Sequence, residues 1–242
     1  CIENPTFGSC AELYRQIDFE RTSHLLAIGG GSVLDTAKAV APFSPARSNA
    51  PAAEATNPYA GVESAIRAGQ GLDAFEILPI IAVPTTAGTG SEVTCWGSLW
   101  DNEELKKYSI SEARLYPTRA YCDPELTLSL PLDTTLATAL DALSHAFESI
   151  WNHNATDTTR AYALEAIELI LTHLVPLSRD LQNLDLRTHL MRAALRAGLA
   201  FSNTKTSVAH ALSYYLTLRK GVPHGRACSF SLPHILKGYL SE

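Results

Sequence analysis

Hydrophobic positions along the 242-residue chain follow two different rhythms. In the first half, short apolar runs end on glycine-rich or hydroxyl-rich turns. Residues 24–28 form one such run, which stops at Gly29-Gly30-Gly31-Ser32, and residues 33–40 then carry apolar side chains at helical spacing. That order predicts a βα unit of a parallel sheet. Residues 77–83 read as a second buried strand, weakened by Pro79, and lead into Pro84-Thr85-Thr86-Ala87-Gly88-Thr89-Gly90-Ser91. A helix is predicted near 10–17, and further strands near 107–110 and 119–122. Residues 43–60, rich in Pro, Ala, Ser and Asn, read as a loop. From about residue 131 a helical period takes over, with helices expected over 134–150, 157–174, 187–200 and 206–216. The pattern predicts an α/β domain over 1–130 and an all-α domain over 131–242. No internal repeat appears.

Composition narrows the class. Hydrophobic residues make up 46% and charged residues 18%, enough for a sizeable core. A net charge of -6 argues against a binder of nucleic-acid phosphates. The sequence shows no apolar run of membrane-spanning length and no secretory signal, so no membrane partner is expected. Cys1, Cys10, Cys95, Cys122 and Cys228 are odd in number and widely spaced, without a C-x-x-C pair. That pattern fits a reducing cytoplasm better than a disulfide framework. The chain opens on Cys1 rather than Met, and both ends of a longer protein are expected to be missing.

Candidate chemistry sits in three places. The glycines after the first strand let a ligand approach the backbone, and N–H groups at a helix start can hold a pyrophosphate. Alone, that turn could equally be a tight βα connection. Thr85, Thr86, Thr89, Ser91 and Thr94 form a second turn after a second strand, where open α/β sheets bind ligands. In the helical half, Asp141 and His145 are four residues apart and share a helix face. With His210 on a later helix and His224 at an expected turn, they make a four-ligand set for a divalent first-row metal. His24, His153, His173, His189 and His234 have no comparable partners and read as structural or solvated.

Six ordered blocks together resemble the iron-containing alcohol dehydrogenase family. They are AIGGGSVLDTAK at 27–38, PTTAGTGSEVT at 84–94, DPELT at 123–127, DALSHAFE at 141–148, FSNTKTSVAH at 201–210 and GVPHG at 221–225. The resemblance implies a Rossmann-like nucleotide-binding domain followed by a helical metal-binding domain, an architecture shared with dehydroquinate synthase. It implies that Asp141, His145, His210 and His224 hold Fe²⁺, or in some cases Zn²⁺. NAD or NADP would be lined by Asn4, Gly30, Gly31, Ser32, Asp35, Thr85, Thr86, Thr89, Thr94, Lys107 and Leu126. The expected reaction moves a hydride between that cofactor and a small aldehyde or alcohol, in a homo-oligomer. A sugar-phosphate cyclase is disfavoured, because those enzymes use a ligand set containing glutamate.

Two departures bear on the substrate. Tyr214 stands where many relatives carry a second histidine, and reads as a proton relay or a half-buried helix tyrosine. Lys205 lies in a segment that usually holds small residues, and reads as a contact for an anionic substrate group or a solvated lysine. These features resemble the branch that reduces phosphonoacetaldehyde to 2-hydroxyethylphosphonate. The alternatives are a general short-chain alcohol dehydrogenase and a non-catalytic fragment that binds metal or nucleotide.

Overall fold

The computed structural model describes residues 4–44 and 57–239. Its chain divides into two compact units, Cys1–Pro84 with Thr94–Tyr121, and Thr85–Val93 with Cys122–Glu242. The division therefore falls at 121/122 rather than near 130, and most of the threonine turn groups with the helical unit.

The first unit contains helix α1 (Phe7–Tyr14), strand β1 (Leu25–Gly29), helix α2 (Gly31–Val40), strand β2 (Pro42–Phe43) and helix α3 (Ala60–Ala68). Strands β3 (Glu76–Ile77), β4 (Ile80–Pro84), β5 (Trp96–Asp101), β6 (Lys106–Ser111) and β7 (Arg119–Ala120) follow. β1, β4 and β7 form a parallel sheet in that order, with Gly29 paired to Pro84. The anticipated strand over 77–83 is in fact two, β3 and β4, separated at Pro79. Proline donates no ladder hydrogen bond, so the strand breaks there. β2 pairs antiparallel with β3, and β5 with β6.

The first helix starts at Phe7 instead of near residue 10, because Thr6 and Ser9 make a reciprocal capping box. Helix α3 begins at the end of the expected loop 43–60, of which residues 45–56 lie outside the described residues. Ala27, Leu34, Leu78, Ile80 and Leu99 are among the buried residues of this unit's core. Lys38 is also fully buried, and its Nζ donates to Thr94 Oγ1 at 2.9 Å and to the Trp96 carbonyl at 2.8 Å.

The second unit is built from α4 (Leu132–Trp151), α5 (Asp157–Arg179), α6 (Leu184–Thr204), α7 (Val208–Lys220), α8 (His224–Phe230) and α9 (Leu232–Tyr239). The four long helices match the expected ones within a few residues, except that α5 runs on to Arg179 through Pro176. Small side chains let α4, α5 and α6 pack closely: Ala139, Ala142, Ala146, Ala163, Ala166, Ala193 and Ala197 form the seam. α5 has the length and apolarity of a membrane span, contrary to the sequence reading. Its Glu165 nevertheless pairs with Arg192 and Arg196 of α6, and Ala163, Ala166 and Ile170 lie in the core. Arg187 of α6 is buried and donates to Thr135 Oγ1, Leu130 O and Leu181 O, which ties α4 to the segment before it. Close approach between elements requires glycine here. A Cβ on Gly90 would lie 2.6 Å from Gly198 Cα, and Gly90 also has φ +62°.

Candidate metal centre

Six side chains from three helices converge within the second unit. α4 supplies Asp141, His145 and Glu148, at i, i+4 and i+7 on one face. α7 supplies His210, and α8 supplies His224 and Cys228. His224 is the first residue of α8, not part of a turn as the sequence suggested. Pro223 precedes it in a position where its missing N–H costs nothing. Gly225 makes the approach of α8 to α4 possible, since a Cβ there would lie 1.9 Å from the Ala137 carbonyl oxygen.

Three imidazole nitrogens surround one carboxylate oxygen. Asp141 Oδ1 lies 3.5 Å from His210 Nε2, 3.9 Å from His145 Nε2 and 4.0 Å from His224 Nε2. Ligand atoms of a tetrahedral site with bonds of about 2.1 Å are about 3.4 Å apart, close to this spacing. Asp141, His145 and His210 are buried, at 4%, 5% and 2% exposure. Asp141 Oδ1, His145 Nδ1 and His210 Nε2 nevertheless lack a hydrogen-bond partner. Buried polar atoms are normally paired, so this concentration of unmet donors and acceptors fits a divalent cation. The four residues expected from the sequence are thus brought together. The tightest group, however, is Asp141, His210, His224 and Cys228, whose ligand atoms all lie within 4.8 Å of one another.

Electrostatics follow from this crowding. Burial alone would raise the Asp141 carboxyl, but the imidazoles of His145, His210 and His224 outweigh it and hold it below the ordinary range. Burial drives His145 down to about 3, against the pull of Asp141 and with the push of His210 and His224. Its ring is sandwiched between Phe201 at 3.9 Å and His210 at 4.5 Å, which fixes its plane. His210 goes the other way. Burial lowers it, but its neighbours Asp141, Cys228 and Glu148 raise it well above its ordinary value.

Glu148, which the sequence reading missed, is fully buried and fixes His210. Its Oε2 lies 2.5 Å from His210 Nδ1. The same carboxylate accepts from the backbone N–H groups of Ser207, Ala209 and His210, so it caps α7 from another helix. With Nδ1 engaged by Glu148, Nε2 is the nitrogen turned to Asp141 and left to meet an ion. A carboxylate in that role orients a metal-binding histidine and raises its basicity.

Tyr214 lies one turn beyond His210, half-buried, with its ring nearly parallel to that of His224 at 6.3 Å. Lys205 is exposed and adopts φ +68° just after α6. Its carbonyl accepts from Asn152 Nδ2, and its N–H donates to Phe201 O. Those bonds hold a backbone conformation that costs a non-glycine residue about 1–3 kcal/mol.

The residues expected at the nucleotide are divided between the units. In the first unit, Gly30 and Gly31 open α2, and Ser32 Oγ accepts from the Asn4 N–H at 3.2 Å. Asp35 Oδ2 accepts from Ser98 N at 2.9 Å, and Thr94 is buried against Lys38. Lys107 lies on β6 with its Nζ 5.9 Å above the Trp100 ring. Thr85, Thr86 and Thr89 belong to the second unit, as does Leu126 in the short turn Pro124–Thr127. Of the histidines read as structural, His173 bonds the Leu169 carbonyl and stacks on His189.

A parallel sheet with a glycine turn in one unit, and three histidines around an aspartate in the other, are the features of a nucleotide-and-metal class of protein. Residues 1–124 match the family described as iron-containing alcohol dehydrogenase, and residues 135–242 match the C-terminal region of the Fe-containing alcohol dehydrogenase family. The chain belongs to the iron-containing alcohol dehydrogenase family. It is 35% identical over 236 residues to phosphonoacetaldehyde reductase of Streptomyces viridochromogenes, covering 96% of this chain and 57% of that protein. It is 33% identical over 216 residues to NAD-dependent methanol dehydrogenase of Bacillus methanolicus, covering 89% and 53%. The crystal structure of sulfoacetaldehyde reductase from Bifidobacterium kashiwanohense in complex with NAD+ matches with TM-score 0.85 and 33% identity, covering 98% of this chain and 59% of that one. The chain thus spans little more than half the length of these relatives.

Proposed function

We propose that this chain carries the metal centre and part of the nicotinamide site of an NAD(P)H-dependent aldehyde reductase for small anionic aldehydes, phosphonoacetaldehyde among them. The observation that carries the reading is the set of three imidazole nitrogens 3.5–4.0 Å from the buried, unpaired Asp141 Oδ1. Asp141, His145, His210 and His224 would hold Fe²⁺ or Zn²⁺. Bound together, the metal supplies Lewis acidity at the substrate oxygen and the nicotinamide supplies the hydride. Asp141 neutralises part of the ion's charge, and Glu148 keeps His210 in the tautomer whose Nε2 is free to bind. Tyr214 Oη, beside His224, hands a proton to the oxygen of the reduced product. The glycine turn at Gly30 and Gly31 offers backbone N–H groups to the cofactor's phosphates.

Two relatives bear on the substrate: one reduces phosphonoacetaldehyde and the other sulfoacetaldehyde, by their names. Both aldehydes carry a tetrahedral anion one methylene away from the carbonyl carbon. Lys205, on a strained and tethered segment before the His210 helix, is the cation we assign to that anion. The methanol dehydrogenase likeness, together with the exposure of Lys205, favours a second reading, a dehydrogenase for neutral short-chain alcohols.

Steady-state reduction of phosphonoacetaldehyde, sulfoacetaldehyde and acetaldehyde by the full-length, Fe²⁺-loaded protein separates the two. Under the first reading, Lys205→Ala raises KM for both anionic aldehydes about tenfold, as expected for one charged hydrogen bond. KM for acetaldehyde stays unchanged. Equal losses on all three substrates support the second reading. Undiminished turnover after complete removal of metal contradicts both.

A further inference from the structure

His145 and His210 both face Asp141, but their rings are held in different ways. His210 Nδ1 is engaged by Glu148. His145 Nδ1 is buried and has no hydrogen-bond partner among the described residues. A metal-binding imidazole is normally oriented by a partner on its other nitrogen. For His145 that task falls to ring contacts. Phe201, itself buried, lies face to face with it, ring centroids 3.9 Å apart and planes 4° apart, and His210 stacks on it at 4.5 Å.

Phe201 also meets the threonine turn. A Cβ on Gly90 would lie 3.0 Å from Phe201 Cε1, so the ring edge abuts the backbone of that turn. Gly198, three residues earlier on α6, brings the turn closer still: a Cβ there would lie 3.0 Å from Gly90 Cα and 2.8 Å from Val93 Cγ2. On the other side, a Cβ on Gly88 would lie 2.5 Å from Thr138 Cβ, three residues before Asp141 on α4. Residues 85–93, α4 and α6 all belong to the second unit. The turn assigned to the cofactor is thus seated on the helix that carries Asp141 and His145 and on the helix that carries Phe201.

We propose that Phe201 is a positioning residue that links the threonine turn to the metal centre, so that ion and nicotinamide nucleotide bind with positive cooperativity. This coupling rests on the metal and nucleotide readings above and adds a connection between them. An ion that fixes the His145 ring also fixes the ring stacked on it, and with that ring the floor beneath Gly90. A close-packed interior passes such ordering on, and a turn already ordered costs the second ligand less to bind. The effect is reciprocal: the nucleotide tightens the ion by the same factor.

The test is a fluorescence titration of the metal-stripped full-length protein with NADH, or with NADPH if it binds tighter, with and without saturating Zn²⁺ and without substrate. Zn²⁺ should tighten the nucleotide at least about fivefold, the lower end of ordinary coupling between sites. In Phe201→Leu and Phe201→Met, which stay apolar but lose the flat ring, Zn²⁺ and nucleotide each still bind alone and the coupling factor falls toward one. A ring with a packing role only would change stability or the separate affinities and leave the factor intact. Amide hydrogen exchange needs no variant: Zn²⁺ alone should slow exchange across residues 85–93 of the wild type, and this result decides if the variants fail to fold. No tightening in the wild type, unchanged exchange in that turn, or a coupling factor retained in the folded variants each overturns the proposal and leaves both ligand sites standing. Absence of Zn²⁺ binding to the wild type rejects the metal-site reading, and absence of nucleotide binding rejects the nucleotide reading; either takes this coupling with it.

Discussion

The glycine turn of the first unit and the histidine cluster of the second were assigned ligands on similar sequence grounds, but their polar atoms are in opposite states. Around the glycine turn the candidate groups are already engaged. Ser32 accepts from Asn4, Asp35 accepts from Ser98, and Thr94 accepts from Lys38. In the cluster, three buried polar atoms on Asp141, His145 and His210 are left unmet. A site that recognises its ligand through backbone N–H groups can keep its side chains as scaffold. A site that recognises a cation must bury charge and leave it unpaired until the cation arrives. Loss of the engaged groups around the glycine turn should therefore cost stability, and loss of the unmet groups in the cluster should cost ligand.

The largest effect expected comes from Gly225→Ala. The added methyl meets the Ala137 carbonyl oxygen at 1.9 Å, against backbone that cannot step aside. Overpacking of this kind costs about 3 kcal/mol, and it separates α8 from α4, so denaturant unfolding and metal content should fall together. Unchanged metal content in a destabilised Gly225→Ala protein would break the link between this contact and the site.

Next is Glu148→Gln, which keeps the shape but weakens the hold on His210 Nδ1. Metal affinity should drop about 10–100-fold, measured by competition with a chelator. Asp35→Ala sharpens the contrast from the other side. It removes the acceptor for Ser98 N–H and should cost about 1–3 kcal/mol in stability with metal affinity unaltered.

The smallest effect is the pH dependence of the metal-free protein. His145 has a folded value depressed from 6.5 to about 3, so the unfolded chain takes up more protons as pH falls below 6.5, and stability drops on the acid side. His210 is raised above 6.5, so its contribution is complete below 6.5 and is lost as pH climbs through its folded value. These two groups place the stability maximum near pH 6.5. Urea denaturation across pH checks this, and His145→Gln should flatten the acid limb alone.

Much of this was legible in the sequence because it depends on local periodicity. The strand, glycine turn and helix from Leu25 to Val40 follow from apolar runs and a glycine stop, and the long helices from their 3.6 spacing. Asp141 and His145 were visible as an i, i+4 pair. Glu148 was equally visible at i+7, but a helix face cannot say that its carboxylate will meet an N-terminus sixty residues later. Cys228 was hidden by Val-Pro-His-Gly, which reads as a turn because glycine usually breaks helices. Here that glycine serves a close contact that only the packed structure shows. The hairpin strand Trp96–Asp101 was missed for a related reason: its pairing partner, not its own composition, holds it in place.

That Asp141 and the three histidines form one divalent-metal site is tested most directly by metal titration of the purified, chelator-stripped full-length protein and its Asp141→Ala variant. One tightly bound Fe²⁺ or Zn²⁺ per chain is expected in the wild type, and no stoichiometric binding in the variant. Equal metal binding by the two proteins would contradict it.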